Sequence, residues 1–162
     1  MMRTRVRGLA AVVIATATIG GPFAFPAVAG ASLVINRGMF GVSVGNTMKQ
    51  VRHRLGRPDE VDHRGGTTAW LYFDRGLLMD FSRKHRVHDL STQGQSPRTA
   101  SGVGVGSSET AVMRLVPGVH CSGTLATGQG VECIAASADV RTDFHVTSRR
   151  GLVQYVLIAR MP

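Results

Sequence analysis

The sequence predicts an α+β protein of two tandem repeats, each a short helical segment followed by an antiparallel sheet of three or four strands. Three observations carry that prediction. A glycine-bounded helix start at Gly41 recurs at Gly102, a short amphipathic stretch follows each, and segments of period-two apolarity come after both stretches.

The N-terminus is set apart from these repeats. Arg3, Arg5 and Arg7 precede an apolar run from Leu9 to about Gly21, and Ala27-Val28-Ala29 supplies a small-residue site. A basic region, a short apolar core and an A-x-A site describe a secretory signal, cleaved near Ala29. The run is short for a membrane span, which needs about 20 predominantly apolar residues, and an uncleaved anchor is the alternative. Loss of residues 1–29 lowers the formal charge from +9 to +6, leaving 16 basic against 10 acidic residues. A basic exported protein points to an acidic protein partner, an anionic polymer or lipid head groups, and away from nucleic acid.

The first repeat is assigned to residues 30–92. Thr47-Met48-Lys49-Gln50 has the form of a capping box, Met48, Val51 and Leu55 recur at helical spacing, and Gly56 and Pro58 stop the helix. Residues 59–67 read as a charged turn. Period-two segments then run over 68–74 and 77–82 around Arg75-Gly76, which predicts a tight hairpin. That turn pairs Tyr72 with Met79, Trp70 with Phe81, Phe73 with Leu78 and Leu71 with Asp80. One face is wholly apolar and belongs against the helix. A third strand is expected over 87–92.

Residues 93–101 read as a polar linker, and the second repeat occupies 102–162. Gly41, Val42, Val44, Gly45, Thr47 and Val51 recur at a constant offset of 61, as Gly102, Val103, Val105, Gly106, Ser108 and Val112. Strands are expected over 131–137, 142–148 and 152–160. Cys121 and Cys133 are the only two cysteines, and an even pair in an exported chain most simply forms one disulfide. Two cysteines are too few for a structural zinc site, which takes four ligands.

The pattern Gly41, Ser43, Gly45, Thr47, Gln50, Val51, Leu55, Gly56 and Pro58, followed by Trp70, Tyr72, Phe81 and Val87, resembles the small exported SmpA/OmlA domains that include BamE. The duplication, with a cysteine pair after the second helix, is similar to the secreted beta-lactamase inhibitory proteins. That resemblance implies helix-plus-sheet repeats whose sheets form a concave protein-binding surface.

No catalytic set emerges from the residues. His85 and His88 lie three apart, which on a strand points them to opposite faces and argues against a metal site. His145 and His120 have no obvious partner in the sequence. The glycines around Ser43 and Ser107 do not form a G-x-S-x-G nucleophile elbow, and those from Gly102 to Gly106 suit backbone turning and lack the Lys and Ser/Thr of a phosphate loop. The expectation is therefore a non-enzymatic exported protein, without metal or cofactor, that binds another protein through its sheet. The candidate surface is Leu71, Phe73 and Leu78 with a basic rim of Arg83, Lys84 and Arg86. The alternative is a basic envelope-associated protein that binds anionic polymer or lipid head groups.

Overall fold

Thr47 opens the first helix, as its hydroxyl requires. In the computed structural model, which describes residues 32–122, 130–147 and 149–162, helix α1 spans Met48–Leu55. The Gln50 amide donates to Thr47 Oγ1 at 3.3 Å, and the Thr47 amide donates to Gln50 Oε1 at 2.8 Å. This is the reciprocal capping box, and Gly56 terminates the helix at a φ of 85°. Helix α2, Glu109–Leu115, has only half of that device: Ser108 Oγ accepts from the Ala111 amide at 3.1 Å, and Ala111 offers nothing in return.

Three two-residue strands precede α1: β1 (Leu33–Val34), β2 (Gly38–Met39) and β3 (Val42–Ser43) form a small antiparallel sheet. The strands after α1 are β4 (Glu60–Arg64), β5 (Thr67–Tyr72), β6 (Leu77–Phe81) and β7 (Val87–Thr92). Those after α2 are β8 (His120–Ser122), β9 (Gly130–Ser137), β10 (Val140–Thr147) and β11 (Val153–Arg160).

All eight of these longer strands join one antiparallel sheet, in the order β4-β5-β6-β7-β11-β10-β9-β8. The fold is mostly β, and this corrects the expected class: two tandem helix-plus-sheet repeats are not what the chain forms. The reason lies at the centre of the sheet, where β7 and β11 pair directly, Leu90 opposite Ile158 and Thr92 opposite Val156. All four of these side chains are buried. A sheet joined in this way has edges only at β4 and β8 and none inside to divide it into units.

The offset of 61 has a local meaning instead. Gly45 and Asn46 exchange backbone hydrogen bonds with Val87, and Gly106 and Ser107 do the same with Val153, each at 2.8 Å. Two helix-start turns of the same geometry therefore dock on two strand starts of a single sheet. Gly45 and Gly106 hold φ of 88° and 86°, which glycine adopts without the Cβ penalty.

Both helices bury one valine completely, Val51 and Val112, in the same core as Trp70, Tyr72, Met79, Phe81, Phe144, Val146 and Ile158. The Tyr72 hydroxyl donates to the Gly56 carbonyl at 3.1 Å, and Arg52 lies over the Trp70 ring at 5.2 Å, which fixes α1 across β5. At the other end, the Asn36 backbone N–H donates to Thr142 Oγ1 at 2.7 Å and ties the small sheet to β10.

The hairpin register differs from expectation by two residues. Tyr72 faces Leu77, Leu71 faces Leu78 and Trp70 faces Met79, because Phe73–Arg75 form a 3-10 turn closed by Gly76 in the left-handed conformation. A shift of two keeps every side chain on its face. Phe73 leaves the strand. The charged piece expected to be a turn contains strand β4 instead, since an edge strand needs only one side of pairing and tolerates charge on both faces.

Candidate functional site: the second face of the sheet

With the helices packed on one face, the side chains of opposite parity form the other. Cross-strand register places Glu60, Leu71, Leu78, Ser91, Leu157, Asp143, Ile134 and His120 in one row across all eight strands. A second row contains Asp62, Ala69, Asp80, Asp89, Ala159 and Arg141. A third contains Tyr155, His145 and Glu132.

The β4–β7 half of this face is accessible. Leu78 is 37% exposed, and it pairs with half-buried Leu71 in a groove of about 390 Å³ that is also lined by Glu60, Asp62, Thr67, Ala69 and Asp80. Asp80 faces Asp89 directly across β6 and β7. Burial, followed by the charge and hydrogen bond of Asp89, pushes the Asp80 carboxyl up to about 6.

The β9–β11 half is closed. Asp143 is fully buried and His145 is 8% exposed. The His145 ring stacks on Tyr155 with centroids 3.8 Å apart, and its Nε2 lies 3.4 Å from Glu132 Oε1. Burial pushes the Asp143 carboxyl up to about 6 against the pull of Arg141, whose Nε stands 3.0 Å from Oδ2. Burial likewise lowers the His145 pKa, opposed by Glu132, and raises that of Tyr155.

The structure divides the candidate residues read from the sequence. Leu71 and Leu78 come together. Phe73, 61% exposed, lies beside them in the 3-10 turn. Arg83, Lys84 and Arg86 line a separate pocket of about 290 Å³ with His88 and Arg160. Arg86 also donates to the Gly45 carbonyl at 3.0 Å. The expected basic rim thus borders a different pocket from the apolar pair, whose own surroundings are acidic. A third cleft, of about 610 Å³ beside the small sheet, is lined by Arg37, Lys49, Gln50, His53 and Arg54 among others.

His85 sits in a tight turn at a φ of 54° and His88 at a bulge in β7, so their spacing does not reflect a regular strand. Gly41, Gly45, Thr47, Gln50, Val51, Leu55, Gly56 and Pro58 build the α1 start and stop. The grouping of Glu132, Asp143 and His145 was missed in the sequence. Its only signal is parity: positions 143 and 145 lie on one face of a strand.

Cys121 and Cys133 face each other across β8 and β9 and are joined in a disulfide. This fits an extracellular, oxidising location. Glu109 lies near both sulfurs, but disulfide sulfurs are not thiolate ligands.

No family model and no curated protein matches the chain. Solved structures do. An extracellular protein containing a SCP domain from Bacillus anthracis str. Ames aligns with a TM-score of 0.58 at 9% identity, over 72% of this chain and 44% of that one. A cysteine-rich secretory protein from Staphylococcus aureus subsp. aureus Mu50 aligns with a TM-score of 0.52 at 12% identity, over the same two shares. A DUF4309 family protein from Bacillus subtilis subsp. subtilis str. 168 aligns with a TM-score of 0.54 at 10% identity, over 77% of this chain and 88% of that one. The chain spans less than half the length of the first two. At these identities the likeness is one of fold alone.

The findings overturn the resemblance to SmpA/OmlA domains and beta-lactamase inhibitory proteins. Of the residues that carried it, the glycine-bounded pattern caps α1 and docks it on β7, and Trp70, Tyr72 and Phe81 are core positions of β5 and β6. Such a pattern meets a local need of backbone geometry and does not by itself specify a family.

Proposed function

We propose that this chain is a non-enzymatic, exported binding protein that engages a partner protein through the β4–β7 half of its second sheet face. The observation that carries this reading is the Leu71–Leu78 pair set among Glu60, Asp62 and Asp80. Apolar surface ringed by carboxylates suits a partner segment that alternates apolar and cationic side chains. Such a segment would cover the leucines and relieve the repulsion between Asp80 and Asp89. Export in this reading uses the leader, with cleavage near Ala29, a site outside the described residues.

Photocrosslinking tests it. A crosslinking residue at position 78 should capture a discrete partner in the culture medium or envelope, and one at Met113, exposed on α2, should not. Glu60→Lys should reduce capture at position 78. Equal capture at both positions would count against the sheet face.

A second reading rests on the two basic pockets. Arg83, Lys84, Arg86, His88 and Arg160 line one, and Arg37, Lys49, His53 and Arg54 contribute to the other; no carboxylate lines either among the described residues. They suit an anionic envelope polymer or lipid head groups. Retention on such material should fall steeply with salt, and salt-independent retention would exclude it.

A further inference from the structure

The geometry points to a divalent transition-metal site at Glu132, Asp143 and His145, on the closed half of the second sheet face. One ligand atom from each of the three residues lies within 4.8 Å of the others. β9 supplies Glu132 and β10 supplies both Asp143 and His145. Register puts Glu132 directly opposite His145, with Asp143 two positions along the same face. The cluster therefore rests on strand backbone, and no loop is needed to assemble it.

The second observation is unmet bonding. Both Asp143 carboxylate oxygens and both His145 ring nitrogens are buried without a hydrogen-bond partner. Arg141 Nε lies 3.0 Å from Asp143 Oδ2, and Glu132 Oε1 lies 3.4 Å from His145 Nε2, but neither contact is aligned as a hydrogen bond. Buried polar atoms normally find partners, and a buried carboxylate left without them is costly. One cation at the meeting point of the three donors would bind the Asp143 carboxylate and one His145 ring nitrogen, with Glu132 as the third ligand.

The donor chemistry selects the ion. Two carboxylates and one imidazole suit zinc and its first-row neighbours; no thiolate is available for Cu(I), and the imidazole disfavours Mg²⁺ and Ca²⁺. Metal–ligand bonds of about 2.0–2.2 Å in a tetrahedron set ligand atoms about 3.3–3.6 Å apart. The Glu132–His145 separation of 3.4 Å already meets that spacing. Tyr155, stacked on the ring with centroids 3.8 Å apart, holds the His145 plane. Three protein donors leave a fourth position open. Arg141, the competing cation on Asp143, has a side chain 42% exposed and can release to solvent.

The test is a titration of the chelator-stripped, purified protein with Zn²⁺ by calorimetry, and with Co²⁺ followed by its d–d absorption. One ion per chain is expected, with binding at least about tenfold weaker in His145→Ala and in Glu132→Gln. If His145→Ala does not fold, Glu132→Gln carries the test, because that side chain is half-exposed. His63→Ala, on the exposed edge strand, should leave the titration unchanged. No binding by the wild-type chain would overturn the assignment. So would equal affinity in wild type and Glu132→Gln, which would place the ion on exposed histidines.

Discussion

The two halves of the second sheet face share one pleat and one strand direction, yet they treat charge in opposite ways. On β4–β7, the carboxylates Glu60, Asp62, Asp80 and Asp89 surround an accessible leucine pair. On β9–β11, Glu132, Asp143 and His145 are drawn together and two of the three are buried. Charges near water are screened and weakly held, as in the contact of Asp89 Oδ2 with His88 Nδ1 at 3.1 Å. Charges removed from water need a partner held inside the protein. In the reading proposed above, the open half exchanges a partner and the closed half retains an ion.

The contrast breaks first in the core beneath it. Phe144, fully buried below the closed half, should cost about 3–5 kcal/mol as Phe144→Ala. Exposed Phe73, beside the open half, should cost no more than about 0.5 kcal/mol as Phe73→Ala. Equilibrium urea unfolding measures both, and similar losses would deny the difference between the halves.

The disulfide comes next. Cys121–Cys133 closes a short loop, with a sequence separation of 12, at the outer edge of the closed half. The double Cys→Ser variant should lose about 2–3 kcal/mol. No change in the midpoint on reduction would show that the loop is held by other contacts.

Asp80 sharpens the comparison through pH. Its folded pKa of about 6 lies above the ordinary 3.8, so its contribution to stability is full below about pH 4 and is lost as pH rises through 6. Asp80→Asn should therefore be neutral at pH 4 and more stable than wild type by about 1 kcal/mol at pH 7.5, after allowance for solvent screening. The same difference at both pH values would remove Asp89 and burial as its cause.

The smallest effect lies in the caps. Thr47→Ala removes the hydroxyl that accepts from the Gln50 backbone amide and donates to Gln50 Oε1, and should cost about 1 kcal/mol, whereas Ser108→Ala breaks one bond and should cost about 0.5 kcal/mol. Thermal unfolding of the two variants ranks them directly.

These particulars show which physics a single sequence expresses. The α1 cap and the buried set Trp70, Tyr72, Met79 and Phe81 depend on neighbours within a few residues and on parity, and both were legible. β7 matched its expected span because its alternation is local. The hairpin register was hidden by the 3-10 turn at Phe73–Arg75, whose residues also continue a strand pattern. β4 was hidden because Glu60, Asp62 and His63 give an edge strand no apolar rhythm. The β7–β11 junction joins residues more than 60 apart, and neither strand names its partner. The Glu132–Asp143–His145 cluster depends on the β9–β10 hairpin register, which sets Glu132 opposite His145 and which neither strand's own pattern states. Conversely, the repeated glycine pattern was legible and overread, because a shared helix-start geometry does not require a repeated unit.

One measurement addresses the central claim most directly: amide chemical-shift mapping of the isotope-labelled protein with a probe peptide of alternating Lys and Leu. Perturbations should cluster on Leu71, Leu78, Asp80 and Asp89, weaken with salt, and spare Asp143 and His145. Shifts spread over the helices or centred on β9–β11, or none at all, would contradict a binding role for the open half of the sheet.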